Sequence, residues 1–241
     1  MQRFGFTRSA NRADHLLLTP DTFVRAPLPG MNNATAIIHV APAVGAAFTQ
    51  YTAEFEPGGA LGPAEDQRFV YVLEGELSVG EQTLSVGDYA YLPSCDAAPV
   101  TAQIKARAAV IEKPYQELPG KTGPAMFTGR ECAIASKPLL DDAAIEVRCL
   151  LPDDFAFDFA VNTMTYQPGA TLPMVEIHVM EHGLVMLAGG GIYRLSDDWY
   201  PVTEGDFIWM APYCPQWFGA LGKVPAKYLI YKDWNRHPQE S

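Results

Sequence analysis

The 241-residue chain is long enough for one large domain or for two of about 120 residues each, and its 48% hydrophobic content is that of a globular protein, not a disordered or fibrous one. A formal net charge of −11, with 17 lysines and arginines scattered along the chain instead of gathered into a stripe, argues against nucleic acid as a partner. No apolar run reaches the roughly 20 residues of a spanning helix and no apolar export core follows the N-terminus, so we expect no membrane segment and a cytoplasmic address. The four cysteines, Cys95, Cys132, Cys149 and Cys214, form no Cys-x-x-Cys pair, which suits free thiols in a reducing compartment without a catalytic role.

In chain order, β-branched and aromatic residues concentrate at 35–40, 47–55, 69–79, 89–92, 108–112, 155–166, 207–210 and 228–231. Short strands separated by Gly and Pro turns predict an all-β protein of sandwich or barrel type. A short helix at 138–144 is the one helical expectation. Two blocks then match in order. The first is Phe55-Glu-Pro-Gly-Gly, Leu73-Glu-Gly-Glu and Gly87-Asp-Tyr-Ala-Tyr-Leu-Pro93. The second is Tyr166-Gln-Pro-Gly-Ala, Leu187-Ala-Gly-Gly and Gly205-Asp-Phe-Ile-Trp-Met-Ala-Pro212. Each copy reads as a strand ending in a Pro-Gly turn, a long strand with a Gly bend, and a Gly-Asp turn that launches a hydrophobic strand. The expectation is two tandem barrels, 1–120 with an N-terminal arm and 121–241, joined through the Gly- and Pro-rich stretch 116–137.

Chemistry concentrates in the second copy. His15, His39 and His237 stand apart, whereas His178 and His182 fall together in segment 175–183 with Glu176. If this segment is a strand, period 2 puts Glu176, His178 and His182 on one face. That face could be solvent, with Val175, Ile177 and Val179 forming the core side, or it could be the barrel interior. Inside, a carboxylate between two imidazoles needs a cation to neutralise it. Aligning the copies on Leu73 and Leu187 sets His182 over Arg68, His178 over Ala64, Glu176 over Gly62 and Gln216 over Ala97, so the first copy has no ligand set. Two His, one carboxylate and one amide differ from the thiolate-rich pattern of structural zinc and suit a six-coordinate ion such as manganese or iron.

At these residues the chain resembles the cupin superfamily, whose first motif runs Gly, His-x-His, three or four residues, Glu, six residues, Gly. Glu176-x-His178, three residues, His182, six residues, Gly189 keeps the spacing with Glu and His exchanged, and Gln216 stands where the second motif carries His. Through Leu16-Leu-Leu-Thr-Pro-Asp21, Pro29-Gly-Met-Asn-Asn-Ala-Thr35, Glu176-Ile-His-Val-Met-Glu-His-Gly183 and Tyr228-Leu-Ile-Tyr-Lys-Asp233 it is similar to the (S)-ureidoglycine aminohydrolase family of bicupins over nearly its whole length. The resemblance implies a jelly-roll-like bicupin hydrolase of purine (allantoin) breakdown, acting on a small ureide and assembling into homo-oligomers. It implies one Mn2+ on Glu176, His178, His182 and Gln216, substrate contacts at Tyr193, Tyr228 and Lys232, and catalytic roles for Lys232, Tyr228 and Glu176. Without it, Tyr193, Tyr228 and Lys232 read better as ordinary strand residues than as pocket groups, Lys232 reaching to water. Two other functions fit the pattern: a manganese or iron cupin dioxygenase acting on a small acid, and a ligand-binding bicupin without catalysis.

Overall fold

The structure, a computed structural model, describes residues 6–236; His237 lies outside them. Among the described residues no helix is long and apolar enough to cross a membrane. The chain divides into two compact units, each built from antiparallel sheet.

The first unit comprises 24–135 and 152–158. Its sheet runs Phe127–Arg130, Asp88–Leu92, Gln67–Glu74, Ala106–Lys113, Thr49–Leu61, Val100–Ala102, Glu76–Val79, Gln82–Ser85, and Met31–Val40 also pairs with Thr49–Leu61. Inward residues such as Tyr51, Phe55, Leu61, Val72 and Val110 form one core. The expected strand at 69–79 is two strands broken at Gly75, which has φ +72° and where a Cβ would lie 2.3 Å from the Lys105 carbonyl. Only glycine fits there. The second copy repeats the device at Gly189, with φ +65° and the Pro225 carbonyl 2.5 Å from the position of a Cβ.

The second unit holds the described residues up to Phe23, 136–151, and those from 159 onward. One sheet runs Ala10–Asn11, His15–Leu18, Phe207–Met210, His182–Ala188, Ala226–Asp233, Phe159–Tyr166, Asp142–Cys149, Lys137–Leu139; the other runs Asp198–Thr203, Gly190–Leu195, Gln216–Ala220. Tyr166, Leu184, Tyr193, Phe218 and Tyr228 belong to its core.

These boundaries differ from a break at 120. The N-terminal arm joins the second unit because His15–Leu18 pairs with Phe207–Met210, burying Leu17 completely, and because Arg8 makes a two-pronged ion pair with Asp206 at 2.6 and 2.8 Å. The expected linker contributes strand Phe127–Arg130 to the first unit, paired with Asp88–Tyr91. The expected helix at 138–144 is instead a hairpin that turns at Leu140 and Asp141, both at positive φ (49° and 64°). Pro138 sits in its outer strand, at the sheet edge where a missing N–H is tolerated. The strand expected from 155 starts at Phe159, because Asp158 is anchored in the first unit.

That anchor is a buried carboxylate. Asp158 is fully buried and ion-paired with Lys113, and it accepts hydrogen bonds from the Gln67 amide (2.7 Å) and the Gln116 backbone N–H (2.9 Å). Removing one partner of such a pair strands the other charge. Asp158→Ala is expected to cost about 3–5 kcal/mol, read as a lower urea midpoint of unfolding.

His39 adds a pH dependence. It is buried beside Thr52 (Nε2 to Oγ1 2.8 Å), and burial first, then the nearby Arg107 charge, lower its pKa to about 3. Between that value and the ordinary 6.5 the unfolded chain binds the extra proton, so stability present above pH 6.5 is lost as pH falls, by about 1.4 kcal/mol per unit. Urea unfolding of the parent and of His39→Gln at pH 7 and pH 5 should show the gap closing on the acid side by about 2 kcal/mol.

Candidate active site

Segment 171–181 is not the regular strand expected across 175–183. It touches the three-stranded sheet at two isolated bridges, Thr171 to Gly219 and Glu176 to Gln216, and continuous pairing resumes only at His182. The His178 carbonyl accepts from the Tyr213 backbone N–H (2.8 Å), a turn and not a strand. Ile177 is 61% exposed, so the odd positions are not the core side. Glu176, His178 and His182 turn inward.

The bridge at Glu176 is reciprocal. Its N–H donates to the Gln216 carbonyl (2.8 Å) and the Gln216 N–H donates back (2.9 Å), which locks two candidate ligands backbone to backbone. From the sheet, His182 stands directly across from Lys232 on one side and Met210 on the other. The Nε2 atoms of His178 and His182 lie 3.2 Å apart, and the side-chain amide of Gln216 is 2.7 Å from His178 Nε2. A cavity of about 380 Å³ gathers Glu176, His178, His182, Tyr193, Gln216, Tyr228 and Lys232.

These residues fit a metal ion. Two donors on adjacent corners of one coordination sphere with bonds of about 2.1 Å lie ~3 Å apart, the spacing of the two facing imidazole nitrogens. His182 is held well below its ordinary pKa by burial first, then by His178 and Lys232, so it is the neutral imidazole that metals bind. Burial raises the Glu176 pKa despite the opposing Lys232 charge. A carboxylate desolvated in this way is relieved by a cation. Half a turn of the Gln216 amide would present its oxygen to His178 and its NH2 group to the Tyr193 hydroxyl, now 3.5 Å from Oε1.

Around this set, the Tyr228 hydroxyl lies 2.8 Å from that of Tyr166, and the Lys232 ammonium is 4.3 Å from the centre of the Trp234 ring. Burial holds the Tyr193 and Tyr228 phenols well above their ordinary pKa, so both are neutral hydrogen-bonding groups. Sequence reasoning missed Tyr166 and Asn162, which share the inward face of strand Phe159–Tyr166. The repeat carried a signal for both, since Tyr166 aligns with Phe55 and Asn162 with Tyr51: the second copy is more polar there. In the first unit, Glu112 stands across from Arg68 as Lys232 does from His182. Arg68 Nε donates to Glu112 (2.7 Å) and the Tyr51 hydroxyl donates to it as well (3.0 Å).

A second group of metal-ligating types, Asp14, His15 and Cys214, gathers within 4.8 Å. Both nitrogens of His15 are engaged, by Asp14 at 2.8 Å and the Tyr200 hydroxyl at 2.9 Å, and the Ser196 hydroxyl donates to Asp14. Burial pushes the Cys214 thiol up to about 11. This cluster fastens the N-terminal arm, and the Asp14 carbonyl accepts from the Ala211 N–H near the Gln216 strand. The two clusters separate by experiment. His178→Ala or His182→Ala should weaken manganese binding to the metal-stripped protein at least about tenfold, measured by titration, whereas Asp14→Asn should leave it unchanged.

Comparison with known proteins places residues 162–231 in the cupin domain family. The chain is 40% identical to (S)-ureidoglycine aminohydrolase of Arabidopsis thaliana over 97% of its own length and 80% of that protein. It is 30% identical to the protein of the same name from Escherichia coli K12, covering 94% and 93%. Among solved structures, a Pseudomonas aeruginosa protein described as glyoxylate-induced superposes with a TM-score of 0.87 at 29% identity, covering 98% of this chain and 94% of that one. Oxalate decarboxylase of Bacillus subtilis, described with Mn(II) centres, shares the fold with a TM-score of 0.70 at 11% identity, over 95% of this chain and 80% of its own.

Proposed function

Because the chain belongs to the (S)-ureidoglycine aminohydrolase family, we propose that it converts (S)-2-ureidoglycine and water to (S)-ureidoglycolate and ammonia, as a metal-dependent step of purine catabolism. The observation that carries the proposal is the pair of facing imidazoles, His178 and His182, held beside Glu176 and Gln216 in a cavity lined by Tyr193, Tyr228 and Lys232. Glu176, His178, His182 and Gln216 would hold one divalent ion. Their nitrogen and oxygen donors, without thiolate, and the Mn(II) centres of the decarboxylase with the same fold support manganese. The free thiols of Cys95, Cys132, Cys149 and Cys214 suit the reducing cytoplasm.

When bound, the ion supplies Lewis-acid stabilisation to the substrate carboxylate and a neighbouring donor. The protein residues do the rest. Lys232, on the strand facing His182, holds the carboxylate or delivers a proton to the departing amine. The C–N bond then breaks with its electron pair on nitrogen, which leaves as ammonia while the ureido nitrogen lone pair supports the carbon. Water adds to that carbon and gives up one proton, which the Glu176 carboxylate in the cavity wall would accept. The neutral phenols of Tyr193 and Tyr228 orient substrate oxygens, and the apolar walls at Met164, Leu172 and Ile230 restrict water.

Freshly generated ureidoglycine given to the manganese-loaded protein should release one ammonia per substrate with no oxygen uptake. Oxygen consumption would instead support a dioxygenase, and full metal content without turnover a binding protein. Lys232→Met should keep its metal and lose about 10²- to 10⁴-fold in kcat.

A further inference from the structure

Asn162 is the polar exception on an apolar wall. On strand Phe159–Tyr166 it shares the inward face with Met164 and Tyr166, which belong to the core cluster. It pairs in register with Ile230 on one side and Cys149 on the other, and it lines the cavity that holds the candidate ligands. Ile230 lies midway along its strand between Tyr228 and Lys232, so the Asn162 amide sits at the level between those two groups. It is 7% exposed. Among the described residues its side-chain amide has no hydrogen-bond partner.

An amide on a mostly buried wall that makes no protein hydrogen bond contributes less to folding than an apolar side chain packed there would, and its polar atoms are left facing the cavity. Met or Leu at this position would pack as their neighbours Met164 and Leu172 do, so folding alone favours an apolar residue here. An unspent amide in a cavity wall is a recognition group. Its chemistry is specific, since a carbonyl acceptor and an NH2 donor sit side by side in one plane. The matching partner is a planar group that offers a donor and an acceptor with the same spacing, as the –NH–CO–NH2 end of a ureide does. The aligned residue of the first copy, Tyr51, has its hydroxyl committed to Glu112, so at this position a free amide is found in the second barrel and a closed hydrogen bond in the first.

We propose that Asn162 is the specificity-determining residue for the ureido group, which it holds by two parallel hydrogen bonds while the carboxylate end of the ligand lies toward Lys232 and the His178 and His182 pair. The proposal rests on the site serving a small ureido acid. It separates that class from plain α-amino and α-hydroxy acids of similar size, which have no group to satisfy the amide.

The test uses two inert probes on the manganese-loaded protein. Ureidoacetate is the substrate without its leaving amine, and N-acetylglycine has a methyl group in place of the terminal NH2. Calorimetric titration should show the parent binding ureidoacetate at least about 30-fold more tightly than N-acetylglycine, and Asn162→Leu should reduce that preference to less than threefold. Asn162→Leu should keep full metal content and a thermal midpoint equal to or above the parent's, which a purely structural amide would not allow. In steady-state ammonia release the loss should fall mainly on KM. Equal affinity of the parent for both probes, an unchanged preference in Asn162→Leu, or loss of folding or metal in that variant would each overturn the assignment. If the parent prefers ureidoacetate but releases no ammonia from ureidoglycine, ureido recognition stands and the proposed hydrolysis fails.

Discussion

The interior of a small barrel is dry, and a charge placed there must be neutralised by something equally fixed. The two halves of this chain answer that constraint with different residues at matching positions. In the first, Arg68 and Glu112 neutralise each other across adjacent strands and Tyr51 donates to the carboxylate, so the cluster closes on itself. In the second, His182 and Lys232 occupy the same cross-strand relation, and the negative charge comes from Glu176 on an irregular segment. There burial raises the Glu176 pKa against the opposing Lys232 charge, and burial likewise holds His182, which faces His178, as the neutral ring. One half is electrostatically closed. The other gathers groups that a cation would neutralise.

The framework around both clusters is shared, which is why the difference between them is confined to a few side chains. Each copy bends at a glycine with positive φ pressed against a carbonyl, Gly75 and Gly189. Each closes its next turn with an aspartate that accepts from a backbone N–H, Asp88 from Ser85 (3.0 Å) and Asp206 from Thr203 (2.9 Å). Each aspartate also meets an arginine, Arg130 at Asp88 and Arg8 at Asp206. With the sheet framework held constant, exchanging inward residues changes the chemistry and leaves the architecture alone.

The site depends on where rigid and irregular backbone meet. His182 and Lys232 stand on paired strands, whereas Glu176 and His178 come from a segment held by the bridge to Gln216 and the hydrogen bond from Tyr213. The loop that leads to Gln216 is tied in turn to the N-terminal arm through Asp14, Ser196 and Cys214. The arm, remote in sequence, is therefore fastened to that loop, and the ligand groups themselves are held by the Glu176 bridge and the strands.

Local patterns were enough for much of this. Alternating β-branched residues between Gly and Pro turns announce strands, because side-chain direction in a strand follows period 2. The matched Pro-Gly, Gly and Gly-Asp blocks announce the duplication, because turns need particular residues. The spacing of Glu176, His178 and His182, set against Gly62, Ala64 and Arg68, singles out one half. Pairing between distant strands was not legible. It decided that residues up to Phe23 belong with the second unit and 152–158 with the first, and that 138–144 forms a hairpin. It also decided that the segment of Glu176 and His178 is bridged and not laddered, that Asn162 reaches the cavity, and that Tyr166 backs Tyr228 from the core. A residue's own neighbours dictate its backbone preference, but which face becomes a cavity depends on strands scores of residues away, and the energy of that choice appears only when they pack.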